Sequence, residues 1–152
     1  LNRAHGWTVL CASNPQNGDK TLGDAMQIIR EYAARRRFEN FQVYYMGFSD
    51  GALIGARCGA DYPAIRRMVL VNGPLMINWH RTKAGILRFI GESATFVYGS
   101  LDPSYRYAEL IRVPEKENPR IHLEIADGQD HYFSKNGFDL AELAERYLFT
   151  TF

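Results

Sequence analysis

Cysteine is scarce: Cys11 and Cys58 are the only two in 152 residues, and neither belongs to a C-x-x-C pair. A disulfide framework is thereby excluded, and buried thiols are the expectation for both. No spacing among these cysteines and the four histidines suits a metal site. A surplus of one charge is also lacking. Eighteen basic against 17 acidic residues leave a net charge of +1, too little for the broad field that nucleic acid or an anionic membrane requires. The basic clusters Arg35-Arg36-Arg37 and Arg66-Arg67 fall near expected helix ends or strand entries, where cations complement the helix dipole or stay solvated. There is no signal-peptide pattern and no apolar run long enough to span a bilayer, so a cytoplasmic location is expected. Repeats and low-complexity segments are absent. The chain starts at Leu1 rather than methionine, which hints at a trimmed chain or a fragment.

What is present is an ordinary globular composition, 46% hydrophobic and 23% charged, in one domain over 1–152 that is long enough to bury a core. After a short helix tail closed by Gly6, residues 7–12 read as a strand, and Ser13 to Asp19 as a dense loop. Thr21 and Asp24 offer a capping box for a helix whose apolar positions are Ala25, Ile28, Ile29, Tyr32 and Ala33. Further strands are expected at 41–46, 68–71, 94–98 and 121–125. Helices are expected after the second of these five strands, at 82–90, at 105–111 and at the C terminus, with a proline-containing loop from Pro114 to Pro119. Strands alternating with helices predict a three-layer parallel α/β sheet of about five strands.

Gly47-Phe48-Ser49-Asp50-Gly51 organises the rest. Strand, G-x-S-x-G and helix together form the context of a nucleophile elbow, in which a strained turn lifts the serine hydroxyl above the sheet. The pentapeptide is common by chance, but the helix after it is not ordinary. Gly51, Gly55 and Gly59 share one face with the row Ala52, Ala56 and Ala60 beside it, so a nearly bare face can approach the sheet closely. Two more loaded loops follow later strands. Gly99-Ser100-Leu101-Asp102-Pro103 carries an acid, and Asp127-Gly128-Gln129-Asp130-His131-Tyr132 carries a histidine. Ligands gather beyond the carboxyl ends of such strands, and a serine, an acid and a histidine gathered there make a nucleophile, an orienting acid and a general base.

These three pieces, G-F-S-D-G, Y-G-S-L-D-P and D-G-Q-D-H-Y-F, resemble the α/β-hydrolases in kind and in order. The resemblance runs from Trp7 to Leu148. It implies Ser49 as nucleophile, His131 as base, Asp102 as the orienting acid and the Asp50 N–H as one oxyanion donor. It implies no cofactor. Asp127 and Asp130 stand as alternative acids, while His5, His80 and His122 fit no catalytic position. A serine at the elbow argues against the branches with an aspartate nucleophile, dehalogenases and epoxide hydrolases. Met76, Ile77 and Trp79 are candidates to line an acyl pocket.

The resemblance also implies a shortage. Such sheets have eight strands, and the second oxyanion donor comes from the loop after the third. The Trp7 strand here resembles the fourth, so the first three are missing, and backbone N–H groups of Ser13 and Asn14 are the expected substitutes. The leading expectation is a serine hydrolase that cleaves small acyl substrates such as esters through an acyl-enzyme, and that self-associates through an exposed sheet edge. The rival is a non-catalytic α/β-hydrolase remnant serving as an interaction module. A flavodoxin-like domain ranks last, because residues 13–18 are not a glycine-rich phosphate loop.

Overall fold

A computed structural model describes residues 5–12 and 18–150. Four parallel strands form one sheet in sequence order: β1 (Val43–Phe48), β2 (Ile65–Val71), β3 (Ser93–Gly99) and β4 (Ile121–Ala126). The central strands are apolar almost throughout because both faces are covered. All of β3 is buried, and so are Met68 to Val71 of β2. The outer strands β1 and β4 are only partly buried.

Helix α1 (Asp19–Arg35) precedes β1, and α2 (Asp50–Cys58) connects β1 to β2. Helix α3 (Trp79–Leu87) connects β2 to β3. A 3₁₀ stretch (Pro103–Ile111) running into α4 (Arg112–Glu117) leads on to β4. A sequential parallel order with crossovers of one hand puts every connection on the same face. The core reflects this. Leu22 and Met26 of α1, Leu53 and Ile54 of α2, Ile86 of α3, and Ala108 and Ile111 of the 3₁₀ stretch pack with Leu70, Phe96 and Ile121 of the sheet. The opposite face, with Val69, Val71 and Val97, is covered by α5 (Ala141–Ala144) and the π-helical turn that continues it (Glu145–Phe149), through Leu143, Ala144, Tyr147 and Leu148.

Several expectations are corrected here. Residues 7–12, expected as a strand, do not form one, so among the described residues the sheet has four strands where about five were expected. The Trp7 ring stacks on Tyr44 of β1 at 4.1 Å, and the Thr8 hydroxyl lies 3.5 Å from that of Tyr32 on α1. Val9 and Leu10 are exposed, and so is Cys11, which was expected to be buried. The segment thus packs by an aromatic side chain and leaves β1 at the edge of the described sheet. Helix α1 begins at Asp19 with Gly18 as its cap, so Thr21 lies inside the helix and not at its cap. Its buried residues are Leu22, Met26 and Ala33, and Ile28 is exposed. Pro114 belongs to the first turn of α4, where a missing N–H costs no intrahelical bond.

Candidate active site

The register fixes where the loops leave the sheet. Phe48 pairs with Val71, Val71 with Val97, and Gly99 with Ala126. Ser49, Asn72, Ser100 and Asp127 therefore emerge at one end, each at the end of its own strand. The Ser49 N–H donates to Val71 O at 2.8 Å, extending the ladder by one residue. The chain then turns abruptly: Ser49 has φ 56° and ψ −115°, a conformation that costs a non-glycine residue of order 1–3 kcal/mol. Its carbonyl accepts from the N–H groups of Ala52 and Leu53, which starts α2. The Asp50 N–H is the first of the helix, a position with no intrahelical acceptor.

The two glycines of the pentapeptide are not equivalent. A Cβ on Gly47 would sit 2.4 Å from Gly51 O and 2.8 Å from Ala52 N, so the turn closes only over glycine. At Gly51 the nearest atom would be the Tyr45 hydroxyl, 3.8 Å away. The bare face of α2 serves the approach to the sheet, as expected. The Tyr45 ring occupies the place of a Gly55 Cβ, and Met68 that of a Gly59 Cβ. Tyr45 donates to Gly51 O at 2.5 Å, and burial pushes its phenol above the ordinary range.

Asp102 and His131 come together. His131 Nδ1 lies 2.7 Å from Oδ1 of Asp102, whose side chain is buried while the histidine remains one-third exposed. The second oxygen, Oδ2, accepts from the Ser104 N–H at 3.0 Å and from the Ser104 hydroxyl, so both carboxylate oxygens are occupied. With Asp102 ionised, Nδ1 is the protonated nitrogen and Nε2 the basic one. The alternative acids are engaged elsewhere. Asp127 accepts from the Ser100 hydroxyl at 3.0 Å. Asp130 accepts from the Ser134 hydroxyl and N–H, and these bonds hold its carboxyl below the ordinary carboxylate value.

Ser49, Asp102 and His131 line one cleft of about 320 Å³, together with Asn72, Pro74, Tyr107 and Arg106. Buried Tyr98 donates to Gly73 O at 2.8 Å; burial, then the negative charge of Asp102, pushes this phenol up. Phe48 packs against the His131 ring with centroids 5.0 Å apart, and Tyr132, 71% exposed, stands beside it. Met76, Ile77 and Trp79 are not among the lining residues, and Met76 and Ile77 are exposed. Ser13 and Asn14 lie outside the described residues. His5 pairs with Glu145 and stacks on Phe149, His80 is exposed on α3, and His122 lies within β4. Among the described residues no cluster of His, Cys, Asp or Glu is arranged to hold a metal ion, and no helix is long and apolar enough to cross a membrane.

Sequence reasoning missed Asn72, which lies just beyond the strand expected at 68–71. The only local signal is an asparagine at a strand end before Gly-Pro. Its side-chain bonds reach across the sheet and have no sequence signature.

Four parallel strands with flanking helices among the described residues, with a strained serine in the same cleft as an aspartate–histidine pair, make a reduced α/β-hydrolase fold. Solved structures agree. A serine hydrolase homologue from Coxiella burnetii superposes with a TM-score of 0.67 at 18% identity, over 88% of this chain and 61% of that one. An esterase from Pyrococcus furiosus gives 0.68 at 14% identity, over 89% and 66%. A putative dienelactone hydrolase from Klebsiella pneumoniae gives 0.68 at 15% identity, over 88% and 62%. The chain thus spans less than two-thirds of the length of these structures. No protein-family model and no curated protein sequence matches it.

Proposed function

We propose that the chain is a serine hydrolase that cleaves an ester or related acyl bond through an acyl-enzyme. The observation that carries this is the 2.7 Å contact between His131 Nδ1 and buried Asp102, in the same cleft as the elbow serine. Ser49 Oγ attacks the carbonyl carbon and His131 Nε2 accepts its proton. Asp102 holds the tautomer and stabilises the imidazolium. The developing oxyanion is met by the Asp50 N–H. His131 returns the proton to the leaving group, and water then releases the acyl group by the same route.

Arg106 is a cation lining the cleft, and its Nη2 donates to the Tyr107 hydroxyl at 3.0 Å. This favours small acyl substrates that carry negative charge. A cytoplasmic location belongs to the same reading, supported by an exposed free thiol at Cys11.

The test is covalent labelling with a fluorophosphonate probe, read by intact mass beside Ser49→Ala. Stoichiometric labelling of the wild type, absent in Ser49→Ala, is the expected result. Asp102→Asn should slow ester turnover by about 10⁴-fold, the usual cost of the wrong histidine tautomer. A folded wild-type chain that takes no label would replace this reading with a non-catalytic interaction module.

A further inference from the structure

Asn72 follows β2, yet its side chain serves the two loops that carry the acid and the base. It is 1% exposed and has φ 52°, and its own N–H donates to Val97 O at 2.9 Å. Its Oδ1 accepts from the Gly99 N–H at 2.9 Å, at the end of β3 and three residues before Asp102. Its Nδ2 donates to His131 O at 2.8 Å and, more distantly, to Asp130 O at 3.4 Å. An N–H on one side and two carbonyls on the other fix which end of the amide is oxygen.

We infer that Asn72 is a positioning residue: one planar amide sets the His131 backbone relative to the strand end from which Asp102 departs. The inference rests on the serine-hydrolase reading for its kinetic consequence. Turn propensity alone does not account for the residue. Glycine and aspartate also adopt positive φ, but glycine brings neither donor nor acceptor, and aspartate has no donor for His131 O. The burial matters equally. The Gly99 N–H, whose bond to Asn72 is buried, and the half-buried His131 carbonyl each lose this partner when the amide is removed, and the loop must shift to find others. A displacement of about 1 Å at a catalytic group can lower turnover roughly 100-fold. The neighbouring links do not replace this one. Leu101 N–H to Gln129 O and Ser100 N–H to Ala126 O fasten the loops at other residues, not at His131 itself.

Asn72→Asp keeps the acceptor and the backbone conformation and turns a carboxylate oxygen toward His131 O; Asn72→Gly removes both partners. The measurements are fluorophosphonate labelling rate and endpoint, kcat and KM for a 4-nitrophenyl ester, and the deshielded NMR proton of the His131–Asp102 hydrogen bond. The inference expects one label per chain in both variants, a labelling rate and kcat lowered about 10- to 100-fold, an unchanged KM, and a shifted or broadened proton. It is overturned if the rate constants stay at wild-type values while only thermal stability falls, or if KM rises with kcat unchanged, which would make Asn72 a substrate contact. Should neither variant fold, rapid exchange of the Gly99 amide proton in the native chain would sink the inference, and strong protection would sustain it. An unlabelled wild type overturns the hydrolase reading instead, and the His131–Asp102 proton still tests the clamp.

Discussion

Gly47 and Gly51 occupy matching places in the pentapeptide but meet different surroundings. An added methyl at Gly47 runs into the backbone of residues 51 and 52, which cannot move without opening the elbow. Gly47→Ala is therefore expected to destabilise the fold by about 1–3 kcal/mol or more and to abolish fluorophosphonate labelling. Gly51→Ala meets only a hydroxyl at ordinary contact distance, and alanine in a helix gains about 0.5–1 kcal/mol over glycine. Thermal unfolding and labelling of the two variants check the contrast; equal effects would refute it. This asymmetry is invisible in the motif, since both positions are written G. That Ser49, Asp102 and His131 share one end of the sheet was legible because each lies in the loop after a strand that its own residues announce. The role of Asn72 was not, since its partner His131 is 59 residues away.

At the scale of elements, helix α2 shows why a glycine row was readable as a packing face: Tyr45 and Met68 fill the space the row leaves. The same close packing encloses Cys58. Burial, followed by the negative charge of Asp19, pushes its thiol from 9.0 to about 11. Only the thiolate reacts, so about one Cys58 in a thousand is nucleophilic at pH 8. Iodoacetamide at pH 8 should modify exposed Cys11 and spare Cys58, with Cys58 reacting as the pH rises through its raised pKa; peptide mapping of the alkylated chain reads this directly. Equal modification at pH 8 would mean that α2 opens readily. The stretch from Trp7 to Ala12 was misjudged because apolar residues and a β-rich composition describe a strand and a surface segment pinned by one aromatic ring equally well. Pro114 was misjudged because a proline that breaks a helix interior is harmless in a first turn.

For the molecule as a whole, the parallel order was legible from alternating strands and helices, whereas the strand count depended on whether one segment pairs. Strand β1 lies at the edge of the described sheet, with Met46 38% exposed on it. Unpaired edges template association, so sedimentation should show mass rising with protein concentration, and Met46→Lys should reduce the effect. A constant monomer mass across the accessible range would dismiss it. The sequential order of the sheet has a mechanical side as well. Among the described residues every strand pairs only with strands adjacent in the chain, and Ser49, Asp102 and His131 follow in that same order. Tension applied at the C terminus would peel off α5, then β4 together with His131, while the elbow stays seated against β2. Such a molecule would lose His131 from the cleft before Ser49, so the candidate site would come apart from one end well before the rest of the fold.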